Sequence, residues 1–125
     1  MAQNGAKKKK NLHKYFGAKY VISCSSGTSA IHLAMLSLNI KKNDVVLMPV
    51  TNFISAYNIS HIIGCKIYYV DVEEYTGIVN YKNILKCIKK NNLKKVDVLF
   101  VMHHGGNLFN LEKIKKLKKK FKFKI

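Results

Sequence analysis

Four short apolar runs, each followed by a segment of helical character, constrain the fold of this sequence more than any other feature. The runs are rich in β-branched and aromatic residues and lie at residues 20–24, 45–48, 66–72 and 97–102. This composition is typical of buried strands. Strands that alternate with helices through short connections predict an α/β domain with a mostly parallel sheet.

The same order predicts where ligands bind. In such sheets the binding groups lie in loops that follow the carboxyl ends of the strands. Four loops qualify, at residues 25–28, 49–53, 71–76 and 103–107. In the third loop we expect Asp71 to cap the turn, as Asp commonly does after a strand.

The first loop, Ser25-Ser26-Gly27-Thr28, precedes a helical pattern that we expect to be buried on most of its circumference, with His32 as a core histidine. A helix that begins here has free backbone N–H groups and hydroxyls at the positive end of its dipole, and Gly27 permits close approach. Phosphate is the usual ligand of such an arrangement. A simple helix cap is the alternative interpretation.

The charge of the chain points first to nucleic acid. The 125 residues include 23 basic ones, all of them lysine, and the net charge is +17. Because base readout and bidentate phosphate contacts favour arginine, the absence of arginine argues against this function. We interpret the lysines as solvated surface and retain a cationic nucleic-acid-binding module as an alternative.

Cysteine usage and hydropathy predict a cytoplasmic protein. Cys24, Cys65 and Cys87 are widely separated and give neither a disulfide framework nor a zinc spacing. His103 and His104 have no third ligand nearby in sequence, so we expect no metal site. We find no signal peptide and no membrane span, and we expect residues 1–10 to be disordered.

Several of these motifs together resemble the DegT/DnrJ/StrS family of sugar aminotransferases. The resemblance runs in unbroken order from about Asn11 to Ile125. The matching residues are Gly17, Ala18, Lys19, Tyr20, Ser25, Ser26, Gly27, Thr28, Ala30, His32, Leu33, Ala34, Asp44, Pro49, Phe53, Asn58, Gly64, Val70, Asp71, Val72, His103, Gly106 and Asn107.

The resemblance implies pyridoxal 5′-phosphate (PLP) chemistry on nucleotide-linked keto-sugars for surface-polysaccharide synthesis, with glutamate as amino donor. It also implies a homodimer and the large domain of the aspartate-aminotransferase type. By this similarity Gly27 and Thr28, helped by Ser26, hold the PLP phosphate, and Phe53 stacks on the pyridine ring.

The resemblance covers only the N-terminal third of the family pattern. The acidic residue that pairs with the pyridine nitrogen and the Schiff-base lysine would both lie beyond Ile125, and none of the 23 lysines present replaces the latter. We therefore expect a truncated chain that is inactive alone. Its sheet would have an unpaired edge and uncovered faces, so we expect poor solubility or dependence on a partner chain. A sugar dehydratase of the same family, with His in place of the lysine, is the second enzyme interpretation.

Overall fold

The computed structural model describes residues 11–125, so the expected disorder of residues 1–10 lies outside the described part. Residues 11–16 are helical. The helices that follow are α1 (Gly27–Ser37), α2 (Ile54–Ile63), α3 (Tyr81–Lys90) and α4 (Leu111–Phe121). The strands are β1 (Val45–Pro49), β2 (Lys66–Val70) and β3 (Val98–Leu99), and a short 3₁₀ turn spans His104–Gly106.

The three strands form a parallel sheet in the order β2-β1-β3. Val45 pairs with Lys66 at the start of β1 and Pro49 pairs with Val70 at its end. On the other side of β1, Leu47 pairs with Leu99. The alternation of strands and helices thus gives the expected parallel α/β architecture.

Helices cover both faces of this sheet. On one face, Leu47 packs in a core with residues of α3 and α4, among them Ile84 and Leu117. On the other face, Val46 and Met48 pack with Met35 of α1 and with Ile59 of α2. Successive residues of β1 point to opposite faces, as the two-residue period of a strand requires. The two layers are therefore α1/α2 and α3/α4.

Local sequence signals account for several helix boundaries. Asn80 caps α3 by accepting the Asn83 N–H at 2.8 Å. Asn110 caps α4 by accepting the Lys113 N–H at 3.1 Å. Gly64 ends α2, as the sequence predicts, with a φ of 84° that glycine adopts readily. Short polar side chains and one glycine thus fix these ends.

The first predicted strand, residues 20–24, is not a strand in the structure. Tyr20 and Ile22 are 76% and 77% exposed. Strand β1 already pairs on both of its sides, so the place beside it is taken. Within residues 11–125 the run at 20–24 has no neighbouring strand, and a β-prone sequence needs one to form a ladder. The prediction of a strand here was wrong for this reason.

Two further predictions need correction. Strand β3 has two residues instead of the predicted six, because only Val46 and Leu47 of β1 face it. Helix α1 is largely exposed, and Met35 is its buried residue. We expected burial around most of α1, but the apolar residues of its outer side have no described neighbour to cover them.

Within residues 11–125, no helix combines the length and hydropathy that a bilayer span requires.

Candidate functional site

Ser26 is the N-cap of α1. Its backbone is extended, its Oγ accepts the Ser29 N–H at 3.1 Å, and its carbonyl accepts the Ala30 N–H at 3.1 Å. The Ser26 and Ser29 hydroxyls lie 3.0 Å apart, and that of Ser25 lies 3.2 Å from Ser29. Ser26 therefore caps α1, and three hydroxyls lie at one helix end.

Two backbone N–H groups at the start of α1 remain without an acceptor in the described residues after Ser26 has capped the helix. The first four N–H groups of a helix have no acceptor inside the helix. Those of Ser29 and Ala30 bond to Ser26, whereas within residues 11–125 those of Gly27 and Thr28 meet no acceptor. Both residues are exposed at the positive end of α1. Two adjacent N–H groups are thus available to an anion from outside.

The space around Gly27 is also open. A Cβ built on this glycine meets no heavy atom within 4 Å, and its φ is not in the left-handed region. Nothing in the described part of the chain therefore requires glycine at this position. A side chain at this position would obstruct the approach of a ligand to the N–H groups of Gly27 and Thr28.

Phe53 precedes α2 and occupies its N-cap position without a side-chain cap. No side chain caps this helix: Asn52 Oδ1 accepts the Phe53 N–H at 2.8 Å, and Ser55 is buried. The Phe53 ring is 70% exposed. It is not part of the core, so its face is available for stacking.

Phe53 and the first turn of α1 lie at the same edge of the sheet. Helix α1 ends at Ser37, a short connection before β1 begins, and it packs against the sheet and against α2. Its eleven residues are about as long as five residues of strand. Its first turn therefore reaches the edge where β1 ends and Phe53 follows. All four predicted site residues are exposed.

The third and fourth predicted loops also meet at this edge. A Cβ on Gly77 would lie 2.9 Å from His104 Nδ1. The His103 ring stacks on Phe109 with centroids 5.1 Å apart. A cleft of about 280 Å³ lies between the loops, with Glu73 among its lining residues.

Sequence reasoning missed the role of Glu73. Its carboxylate accepts hydrogen bonds from Asn80 Nδ2 at 2.7 Å and from Thr76 Oγ1 at 3.0 Å. These bonds, that of Asn80 first, lower the pKa of Glu73. The Glu-x-x-Thr spacing was the available signal. Glu73 thus organises the turn that we had assigned to Asp71, whose carboxylate instead lies 3.7 Å from Lys86 Nζ.

One other side chain differs from expectation. His32 is only partly buried, so it is not the core histidine that the apolar helix predicts.

At the opposite edge of the sheet, Asp97 Oδ2 accepts the Val45 N–H at 2.7 Å and lies 3.0 Å from Lys95 Nζ. Hydrogen bonds to Asp97 and Asp44 raise the pKa of Lys95. This cluster supports the starts of two strands and is remote from the candidate site.

The comparison with known families decides the class of protein. The model of the DegT/DnrJ/EryC1/StrS aminotransferase family matches residues 4–125. The chain belongs to this family. A UDP-4-amino-4,6-dideoxy-N-acetyl-beta-L-altrosamine transaminase of Campylobacter jejuni is 32% identical over 110 residues, which are 88% of this chain and 28% of that protein.

Solved structures agree with the family assignment. The structure of NtdA from Bacillus subtilis with bound cofactor PMP superimposes with a TM-score of 0.85 and 27% identity, covering 95% of this chain and 26% of that one. An aminotransferase from Psychrobacter cryohalolentis gives 0.85 at 23% identity, covering 94% of this chain and 29% of that one, and shows the fold alone. The present chain thus spans less than a third of these relatives.

Proposed function

We propose that this chain forms the phosphate-binding part of a PLP-dependent aminotransferase that acts on nucleotide-linked keto-sugars. The observation that carries the proposal is the pair of free N–H groups of Gly27 and Thr28 beside the Ser26 hydroxyl. Family membership and the PMP in the Bacillus subtilis structure make a phosphorylated pyridine the expected ligand.

The residues present fit the phosphate group of this cofactor. Two backbone donors at a helix N-terminus bind a phosphate without any cationic side chain. The Ser26 hydroxyl accepts from Ser29 and still has a proton to donate. The open space at Gly27 allows the phosphate oxygens to reach the donors. In this proposal, Ser26, Gly27 and Thr28 fix one end of the cofactor.

Phe53 is assigned to the pyridine ring. An aromatic face that is exposed at the edge of the sheet where β1 ends can hold a planar heterocycle by stacking. When bound, the cofactor supplies the electron sink that amino transfer requires. The residues of this chain bind and orient it, and we assign none of them a role in proton transfer.

The proposed substrate and partners follow from the relatives. The transaminase from Campylobacter jejuni is named for a UDP-linked amino sugar. We assign the same substrate class here, a nucleotide-linked keto-sugar, with glutamate as amino donor and a second subunit completing the dimer. Because the chain covers 28% of that relative, residues beyond the 125 are needed for the lysine and the remaining walls of the site.

The test is binding of pyridoxamine 5′-phosphate (PMP), followed by amide resonances of the ¹⁵N-labelled chain. PMP carries no aldehyde, so it does not react with the 23 lysines of the chain as PLP would. We expect the amide resonances of Gly27 and Thr28 to shift at millimolar PMP, since their N–H groups are the free donors.

Pyridoxamine, which lacks the phosphate, is the matched control. We expect it to leave the Gly27 and Thr28 resonances unchanged. Equal shifts with both compounds, or shifts confined to the lysine-rich helices, would contradict the assignment. Shifts that inorganic phosphate reproduces at the same two amides would support the phosphate site.

A further inference from the structure

Helices α3 and α4 have a strongly basic outer surface. Ten of their 21 residues are lysines, whereas lysine accounts for 23 of the 125 residues of the chain. All ten are exposed. The apolar residues of the two helices face the core, among them Ile84 and Leu117. We call the outer surface formed by the ten lysines of residues 81–90 and 111–121 the lysine surface.

Most charges of the lysine surface are unpaired. Lys86 Nζ lies 3.7 Å from Asp71 Oδ2, and Lys115 Nζ lies 3.0 Å from Glu112 Oε1. Within residues 11–125, the other eight lysines of these two helices form no ion pair. Glu112 is the one acidic residue in the sequence of α3 and α4. The lysine surface therefore has a large excess of positive charge, which attracts anions.

The spacing of the lysines makes this charge costly for α4 itself. Lys116 and Lys120 are four residues apart, and so are Lys115 and Lys119. Like charges at this spacing destabilise a helix. Interspersed charges of both signs would keep the surface hydrated without this cost. An anionic partner would relieve the repulsion, so the pattern favours a surface that binds one.

Three of the lysines meet in a groove between the two helices. Lys82 of α3 and Lys113 and Lys116 of α4 line this open groove of about 500 Å³. Lys113 also lines the adjoining cleft, together with Leu108, whose side chain is 79% exposed. Positive charge and an exposed apolar side chain thus lie side by side at the amino-terminal ends of α3 and α4.

We propose that the lysine surface binds an anionic lipid bilayer, with Lys82, Lys113 and Lys116 at the headgroups and Leu108 in the interface beside them. Clusters of about four to eight basic residues on an amphipathic helix are typical of such binding, and α4 has six lysines. Exposed apolar side chains next to the charges add to the attraction.

The absence of arginine favours a bilayer over nucleic acid as the anionic partner. Attraction to a bilayer needs positive charge near the headgroups and no bidentate geometry, so lysine serves as well as arginine. Phosphate and base contacts of nucleic acids favour the planar guanidinium group. All 23 basic residues of this chain are lysines.

The proposal does not involve the cofactor, so it and the phosphate site can fail separately. The probe is a vesicle of equal parts phosphatidylglycerol and phosphatidylcholine. We expect the chain to co-sediment with these vesicles at about 0.1 M salt and to remain in solution with vesicles of phosphatidylcholine alone. Absence of binding, or equal binding to both kinds of vesicle, would overturn the proposal.

A variant that combines Lys82→Gln, Lys113→Gln and Lys116→Gln tests the location of the contact. One basic residue near an anionic bilayer strengthens binding about fivefold, so loss of all three should weaken it by at least about tenfold. Circular dichroism checks that the variant folds. Leu108→Ser tests the same contact independently and should weaken binding about twofold or more. Unchanged binding of either folded variant would contradict the proposed contact.

The matched control combines Lys41→Gln, Lys42→Gln and Lys66→Gln. It removes the same charge from exposed side chains at the opposite edge of the sheet, where β1 and β2 begin. A five-residue strand spans about 16 Å, which exceeds the screening length of about 10 Å at 0.1 M salt. The control should therefore bind within about twofold of the unchanged chain. Equal weakening by both triple variants would overturn the proposal, because net charge alone would then explain the binding.

Nucleic acid is tested as the competing partner in the same assay. A single-stranded oligonucleotide is added at the same phosphate concentration as the vesicles. We expect the chain to remain bound to the vesicles, since lysine alone does not favour the nucleic acid. Release of the chain by the oligonucleotide would overturn the assignment of the lysine surface to a bilayer.

Discussion

Replacing Gly27 by alanine separates the stability of α1 from its proposed phosphate site. The new Cβ meets nothing within 4 Å, and the backbone at this position suits any residue. Alanine reduces the conformational freedom of the unfolded chain, so we expect the free energy of unfolding to rise by about 0.4–1 kcal/mol. For a chain of this size, that corresponds to a rise in Tm of about 1–5 °C.

The same methyl group lies beside the two free N–H groups of the first turn. We expect it to weaken PMP binding at least tenfold, a loss of about 1.4 kcal/mol. Thermal denaturation followed by circular dichroism measures the first effect, and titration of the amide resonances measures the second. A fall in Tm would show that Gly27 packs more closely than the structure indicates. Unchanged PMP binding would refute the assignment of Gly27 to the phosphate.

Three further substitutions test the fold. Asp97→Ala should lower the free energy of unfolding in urea by about 1–3 kcal/mol, because the Val45 N–H loses its acceptor, and Asp97→Asn should cost less; equal losses would contradict the role of this bond. Leu117→Ala, at a side chain 1% exposed, should cost about 2–5 kcal/mol in the same assay, and a smaller loss would show a loose core. The hydrogen bond from the Asn80 amide is the main cause that lowers the pKa of Glu73 below 4.5. The charged carboxylate therefore stabilises the fold above about pH 4.5, and this contribution is lost as the pH falls through the folded pKa. Glu73→Gln should therefore flatten the pH dependence of Tm below about pH 5, and an unchanged slope would contradict this.

Helix positions could be predicted from this sequence because their signals are local. Gly64 ends α2, and the spacing of Leu111, Ile114 and Leu117 marks a helix whose inner side holds the two buried residues Ile114 and Leu117. The N-cap at Ser26 was also visible, since a serine before a helical run needs only its own next three residues. Each of these features depends on neighbours in sequence.

The fate of residues 20–24 and the exposure of α1 could not be predicted in the same way. Residues 20–24 have the composition of a strand, but a ladder requires a second strand from a distant part of the chain. The apolar residues Leu33 and Leu36 predict that the outer side of α1 is buried. The sequence does not tell whether the residues that would cover this side lie within these 125 residues. The open setting of Phe53 and the bonds of Glu73 likewise depend on how separate elements meet.

The ten lysines of α3 and α4 have a consequence for how the molecule meets charged surfaces. A carboxylated chromatography bead or sensor chip should attract the α3/α4 layer and leave the α1/α2 layer facing the solution. Adsorption through α3 and α4 would need no engineered tag. Moderate salt would release the adsorbed molecules, since the attraction is screened over about 10 Å at 0.1 M ionic strength.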